Sequence, residues 1–265
     1  MSYSTLLETA AILGCVGVEV RNDLPAPLFN GDDAIRCGSM AFDATLKIFA
    51  VAEVKAFNNF TDATREQASA LMEQAAACGA DGVVLIPQCD GRGTEQVQRI
   101  QSLRHAITEL LPMLEHFRLT GFIEPLGFEQ SSLRLKSEVV ESIEACGGGK
   151  HFRLVHDTFH HFLAGGGPFF PEMTGLMHVS GVVDNSLAVE DIRDEHRVLV
   201  DQHDRLGNIE QILALINGGY NGPVSMEAFA PAVHQYANAG SKLNESFEFI
   251  QTAVQAQLTE QAKHV

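Results

Sequence analysis

Arg153-Leu154-Val155-His156-Asp157 is a short β-rich run that closes on an acidic residue, and Thr158-Phe159-His160 places a histidine one turn beyond it. The same design recurs. Residues 119–124 end in Gly121-Phe122-Ile123-Glu124, residues 175–179 carry Leu176-Met177-His178-Val179, and residues 223–227 end in Val224-Ser225-Met226-Glu227. Three further runs, 16–20, 46–54 and 82–86, share the apolar character. Nearly continuous apolar runs suit parallel strands covered on both faces. Helical patterns fill the intervals: 64–78 with Gly79 as its stop, 94–117, 131–146 before Gly147-Gly148-Gly149, 208–216 before Gly218-Gly219, and a last helix over about 237–263. No linker-like stretch interrupts the rhythm, which predicts one (β/α) barrel domain over 1–265.

The class is therefore α/β, and the expected architecture is a (β/α)8 TIM barrel with its first strand missing from this chain. Seven strands are counted, and a helical segment at 3–13 precedes the first of them. An open seven-stranded sheet is the alternative. The barrel is preferred because no Gly-x-Gly-x-x-Gly follows the first strand, as a doubly wound nucleotide binder requires. A barrel lacking a strand exposes a sheet edge, which the terminal helix or a second copy in a homo-oligomer would cover.

Composition narrows the partners. Eighteen Lys and Arg against 34 Asp and Glu give a net charge of −16 in 265 residues. That charge argues against nucleic acid, whose recognition rests on neutralised phosphates, and against anionic membrane surfaces. The five cysteines form no CxxC pair, so scattered reduced thiols are expected. The opening residues lack the basic and apolar parts of a signal peptide. The longest apolar stretch, 10–18, is far short of the roughly 20 residues that cross a bilayer. A soluble, cytoplasmic protein with a small-molecule partner is expected.

In such a barrel the active site is built at the C-terminal strand ends. The polar residues there are Glu124, Asp157 with His160, His178 and Glu227. Taken singly, each has a plain reading: a strand-end Glu is more often a salt-bridge partner than a ligand, and a lone His is more often a hydrogen-bonded core residue. Neighbouring His156 and His161 keep that plain reading. Jointly, four ligand-type residues closing four consecutive strands point to a cation. Three converging carboxylates would repel each other without one, and an O₃N set suits Mn²⁺, Mg²⁺, Co²⁺ or Zn²⁺. Competing motifs are weak. Gly91-Arg92-Gly93 and Gly165-Gly166-Gly167 lack the Lys-Ser/Thr of a phosphate loop, and there is no Gly-x-Ser-x-Gly elbow. The absence of Trp and the presence of only three Tyr leave no stacking platform for single strands.

Together these residues resemble those of the xylose-isomerase-like barrel superfamily of sugar isomerases and epimerases. Within it, Asp157-Thr158-Phe159-His160, Phe57-Asn58-Asn59 and His196-Arg197-Val198 followed by Asp204-Arg205-Leu206-Gly207-Asn208 resemble inosose (2-keto-myo-inositol) isomerases most. The resemblance implies Glu124, Asp157, His178 and Glu227 as ligands of one divalent metal. It also implies Glu124 and Glu227 as an acid/base pair on opposite faces of the substrate, with His160 and Arg197 on substrate oxygens. One departure stands out: the family usually carries a polar pair such as Lys-Asp after the histidine, where this chain has Ser180-Gly181.

The implied activity is an intramolecular oxidoreductase that converts 2-keto-myo-inositol to a keto-chiro-inositol through an enediolate. The chemistry suits the residues, since moving a carbonyl along a polyol needs a base, an acid and a cation at the oxygens. A ketose 3-epimerase or an inosose dehydratase would use the same proton abstraction. A non-catalytic polyol-binding barrel is the alternative of a different class.

Overall fold

Seven parallel strands carry the chain from end to end in the computed structural model, which describes residues 1–263. They are β1 (Gly17–Arg21), β2 (Lys47–Val54), β3 (Gly82–Leu85), β4 (Thr120–Ile123), β5 (Phe152–Asp157), β6 (Thr174–Val179) and β7 (Val224–Met226), and their order in the sheet is their order in sequence. Each expected run forms its strand. Among the described residues no strand precedes the first helix. The sequential parallel order follows from the helical crossovers, because a parallel neighbour is reached only by a long return connection.

The chain divides into two compact units, Met1–Val155 and His156–Val265, with the division inside β5. The first contains β1–β4, most of β5, and helices α1 (Tyr3–Ile12), α2 (Ala34–Asp43), α3 (Asp62–Cys78), α4 (Gln96–Phe117) and α5 (Lys136–Ala145). Its strands pair with Val20 beside Val51, Val51 beside Val83 and Val84 beside Phe122. Helix α3 shows how sequence makes an element here. Thr61 caps its start by accepting from the Thr64 amide at 3.2 Å, and Gly79 ends it at φ 72°, a left-handed conformation that favours glycine. Ala68, Leu71, Met72, Ala75 and Cys78, spaced three and four apart, are its buried stripe against β2 and β3.

Helix α2 has no counterpart among the helices expected from the sequence. Asp33 caps it at 3.0 Å from the Arg36 amide. At Gly38 a Cβ would meet the Cys78 carbonyl oxygen at 2.4 Å, so the glycine is what lets α2 approach the end of α3. Helix α5 starts five residues later than the pattern suggested, because Ser131 and Ser132 serve a loop. Ser131 Oγ donates to the Leu133 carbonyl at 3.0 Å. Ser132 Oγ donates to the Gln88 carbonyl at 2.8 Å and accepts from Asn58 Nδ2 at 2.9 Å. Asn58 Oδ1 in turn accepts from the Gln88 amide at 2.8 Å. The segments that follow β2, β3 and β4 are thereby tied together at the C-terminal ends of their strands.

The second unit contains the end of β5, then β6 and β7, which pair with His178 beside Ser225, and helices α6 (Thr158–Leu163), α7 (Asn208–Asn217), α8 (Pro231–His234) and α9 (Ala239–Ala262). Met177, Val179, Val200, Ile212, Leu215, Tyr220 and Ile250 form its apolar core. Helix α9 is the expected terminal helix and presents Ile250 to that core. The five cysteines are free thiols. Among the described residues no helix is long and apolar enough to cross a membrane.

Candidate metal centre

Three of the residues singled out in the sequence meet within the second unit. Asp157 is the last residue of β5, His178 lies one before the end of β6, and Glu227 follows β7 directly. One ligand atom from each lies within 4.8 Å of the others. His178 Nδ1 stands 3.3 Å from Glu227 Oε2. Parallel strands in register bring this about: β6 and β7 pair through His178 and Ser225, and the Glu227 amide continues the ladder by donating to the Val179 carbonyl at 2.9 Å. Asp157 and His178 are 3% exposed, so both sit in a medium where an uncompensated charge is costly.

Arg197 supplies part of the compensation. Its Nη2 donates to Asp157 Oδ2 at 2.6 Å and to Glu227 Oε2 at 2.9 Å, and its Nε donates to Ser180 Oγ at 2.9 Å. The guanidinium carbon lies 4.7 Å from the Phe159 ring centroid and 4.9 Å from that of Phe229. An arginine 1% exposed is thus held between two aromatic rings and two carboxylates. Burial pushes the Asp157 carboxyl up, against the opposing pull of Arg197.

The departure at Ser180-Gly181 has a local explanation. Ser180 Oγ is the acceptor for Arg197 Nε, and Gly181 pairs with Val198 through two backbone hydrogen bonds of 2.8 Å. A Cβ at Gly181 would meet the Leu199 carbonyl oxygen at 3.1 Å, so a bulkier residue would push the Arg197 segment away. The Asp204-to-Asn208 motif is part of the same scaffold. Asp204 accepts from the amides of Val182, Leu206 and Asn208 at 3.1–3.2 Å, and Asn208 Nδ2 donates to the Ser180 carbonyl at 2.8 Å.

His160 lies in the first turn of α6, where its amide donates to Asp157 Oδ1 at 2.9 Å. Burial, reinforced by the nearby Arg197 charge, pushes its imidazole down to about 3, so the ring is neutral at physiological pH. His156 stacks on Phe169, His161 lies tilted against both rings, and His156 Nε2 is 2.9 Å from Gln211 Oε1. In the first unit, Glu124 follows β4 directly and is 4% exposed. Phe229 was not singled out in the sequence, and Phe159 and Ser180 entered only as members of motifs, because nothing in their spacing announces the arginine they hold.

The donor chemistry fits a divalent ion. Ligand atoms at about 2.0–2.2 Å from a metal lie no more than about 4.4 Å apart, and the observed spread is close to that span. Two carboxylates and one imidazole suit Mn²⁺, Mg²⁺, Co²⁺ or Zn²⁺.

Comparison with known structures places this arrangement among similar folds. A xylose isomerase domain-containing protein from Salmonella typhimurium LT2 superposes with a TM-score of 0.88 at 26% identity, over 96% of this chain and 93% of that one. The IolI protein with a bound zinc atom gives 0.78 at 18% identity, over 96% and 93%. D-psicose 3-epimerase with D-tagatose from Clostridium cellulolyticum H10 gives 0.71 at 14% identity, over 96% and 94%. A search of curated proteins by sequence returned no match. The family model described as xylose isomerase-like TIM barrel matches residues 7–253. With that match over nearly the whole length and seven parallel strands in sequential order, the chain belongs to the xylose isomerase-like TIM barrel family.

Proposed function

We propose that this protein is a divalent-metal-dependent isomerase that moves a carbonyl along a cyclic polyol, converting 2-keto-myo-inositol to a keto-chiro-inositol. The observation that carries the reading is the meeting of Asp157, His178 and Glu227 at the ends of three consecutive strands, with ligand atoms within 4.8 Å of one another. Glu124, which closes the preceding strand, is the proposed fourth ligand. The reading takes 1–265 as one (β/α) barrel domain. The structural likeness to the zinc-bound IolI protein supports the metal, and the likeness to sugar-acting epimerases supports the substrate class.

Glu124 and Glu227 divide the proton work. One carboxylate removes the proton from the hydroxyl-bearing carbon beside the ketone and the other group gives a proton to the former carbonyl carbon, while the hydroxyl proton of the first carbon passes to the former ketone oxygen. Such groups each contribute about 10²–10⁴-fold. A divalent ion held by Asp157, His178 and Glu227, with Glu124 as the proposed fourth ligand, would supply Lewis-acid polarisation of the ketone. Asp157, without a proton role, holds its place by capping α6 and binding Arg197. His160, neutral by burial, offers ring nitrogens to substrate hydroxyls without adding charge. Arg197, the other residue that the resemblance sets on substrate oxygens, is engaged by Asp157, Glu227 and Ser180.

Epimerisation at the carbon beside a ketose carbonyl is the second reading. It needs the same abstraction with reprotonation on the opposite face, and the fold shared with D-psicose 3-epimerase and L-ribulose 3-epimerase favours it. Proton NMR in D₂O separates the readings. With 2-keto-myo-inositol and Mg²⁺, chelator-sensitive deuterium uptake beside the ketone and a new keto-inositol are expected. Uptake with loss of a hydroxyl would make the protein a dehydratase. Uptake seen only with D-fructose or D-tagatose would make it an epimerase, and no uptake with any of them would leave a polyol binder.

A further inference from the structure

Arg197 is the largest of the fully buried side chains, and its contacts are those of a fixed part rather than a ligand-seeking arm. Nη2 is shared between Asp157 and Glu227, Nε is taken by Ser180, and Nη1 reaches Asp194 at 3.4 Å. Phe159 and Phe229 flank the guanidinium, so it cannot swing aside without leaving both rings. The two carboxylates that it binds are two of the three residues that meet with His178 at the centre.

We propose that Arg197 is a positioning residue that acts as the centre's built-in cation: it holds Asp157 and Glu227 in place and, by sharing their charge, weakens divalent-ion binding enough to keep the ion exchangeable. The inference deepens the metal reading above and rests on it. Two cations that draw on one pair of carboxylates are antagonists. Each stabilises the carboxylates most when the other is missing, so binding of one lowers the benefit of the other by the same factor. The charge count agrees. The three proposed carboxylate ligands carry −3, which a divalent ion and one guanidinium together cancel, whereas a divalent ion alone leaves −1. The position of Ser180-Gly181 and the Asp204–Asn208 scaffold serve this arginine, since both brace the segment that carries it.

The test is Mn²⁺ titration calorimetry on chelator-treated protein, combined with the thermal midpoint of the same metal-free samples. Arg197→Met and Arg197→Gln are expected to lower the metal-free midpoint and yet bind Mn²⁺ about five- to 150-fold more tightly. Arg197→Lys keeps the charge and is expected to bind within about threefold of the parent. Should Arg197→Met fail to fold, Arg197→Gln, which retains hydrogen-bond donors, decides. An arginine that merely supports structure would give neutral variants that lose stability and Mn²⁺ affinity together, and that result, or unchanged affinity, overturns the proposal alone. A parent protein without saturable Mn²⁺ binding overturns the metal reading and this inference with it.

Discussion

Glu227 faces both a histidine and an arginine: His178 Nδ1 lies 3.3 Å from Oε2, and Arg197 Nη2 donates to the same oxygen at 2.9 Å. Replacing it with Gln keeps the shape and removes the charge. Under the proposed reading, Glu227→Gln costs a proton-transfer group, worth about 10²–10⁴-fold in turnover, and one metal ligand. Steady-state kinetics should show the loss of kcat, and Mn²⁺ titration should show weaker binding. His160 gives the contrast. Its backbone amide, rather than its ring, caps against Asp157, so His160→Ala leaves that hydrogen bond available. The variant should lose turnover about tenfold or more while its Mn²⁺ affinity stays at the parent value. Loss of metal in that variant would move the imidazole into the ligand set. The three meeting residues were legible in the sequence because each closes an apolar run, and strand ends are where side chains gather. Arg197 was legible only through family resemblance, as a substrate contact. Its hold on Asp157 and Glu227 depends on a long segment after β6 whose path no local pattern encodes. Asp157 and Glu227 converge on a cation that the chain itself supplies, Arg197.

Helix α5 shows both the reach and the limit of pattern reading at the level of elements. Its periodicity is plain in the sequence, but its start is not, because Ser131 and Ser132 bond to Leu133, Gln88 and Asn58 instead of entering the helix. Helix α2 was not among the expected helices, and its one glycine is a contact point for α3. The delayed start of α5 places Lys136 in its first turn, 9% exposed, at the end of the helix dipole that disfavours a cation. Burial pushes its ammonium down to about 7 from the ordinary value of 10.5. The sign follows from proton counting: between pH 7 and about 10.5 the unfolded chain binds a proton that the folded chain has released, so stability contributed by this site rises with pH across that window. Below pH 7 both states hold the proton and this pH dependence levels off. Lys136→Met should therefore stabilise the protein by about 1–3 kcal/mol at pH 7, with the gain shrinking toward pH 10. Urea unfolding at pH 7, 8.5 and 10 checks this, and a gain independent of pH would mean that the methionine acts through packing alone.

At the level of the molecule, the balance of 34 acidic against 18 basic side chains attracts any cation, so a bare demonstration that metal stabilises the protein is weak evidence for a site. Screening and site binding differ in concentration and in sensitivity to single residues. Surface charges are screened over about 8 Å at 0.15 M salt, where monovalent ions already do most of what a diffuse divalent cloud could do. A specific ion stabilises by mass action instead, by about 2.7 kcal/mol at one hundred times its dissociation constant. In a chain of this length that corresponds to a rise of about 5–10 °C in thermal midpoint. The expected outcome in 0.15 M KCl is a saturable rise with micromolar Mn²⁺, reversed by chelator. His178→Ala should abolish it: that substitution leaves the net charge of −16 unchanged when histidine is neutral, while removing the one nitrogen ligand from the group with Asp157 and Glu227. A rise that survives His178→Ala would assign the effect to the acidic surface and remove the metal from the mechanism. Its loss would locate the ion among the strand ends where the sequence first suggested it.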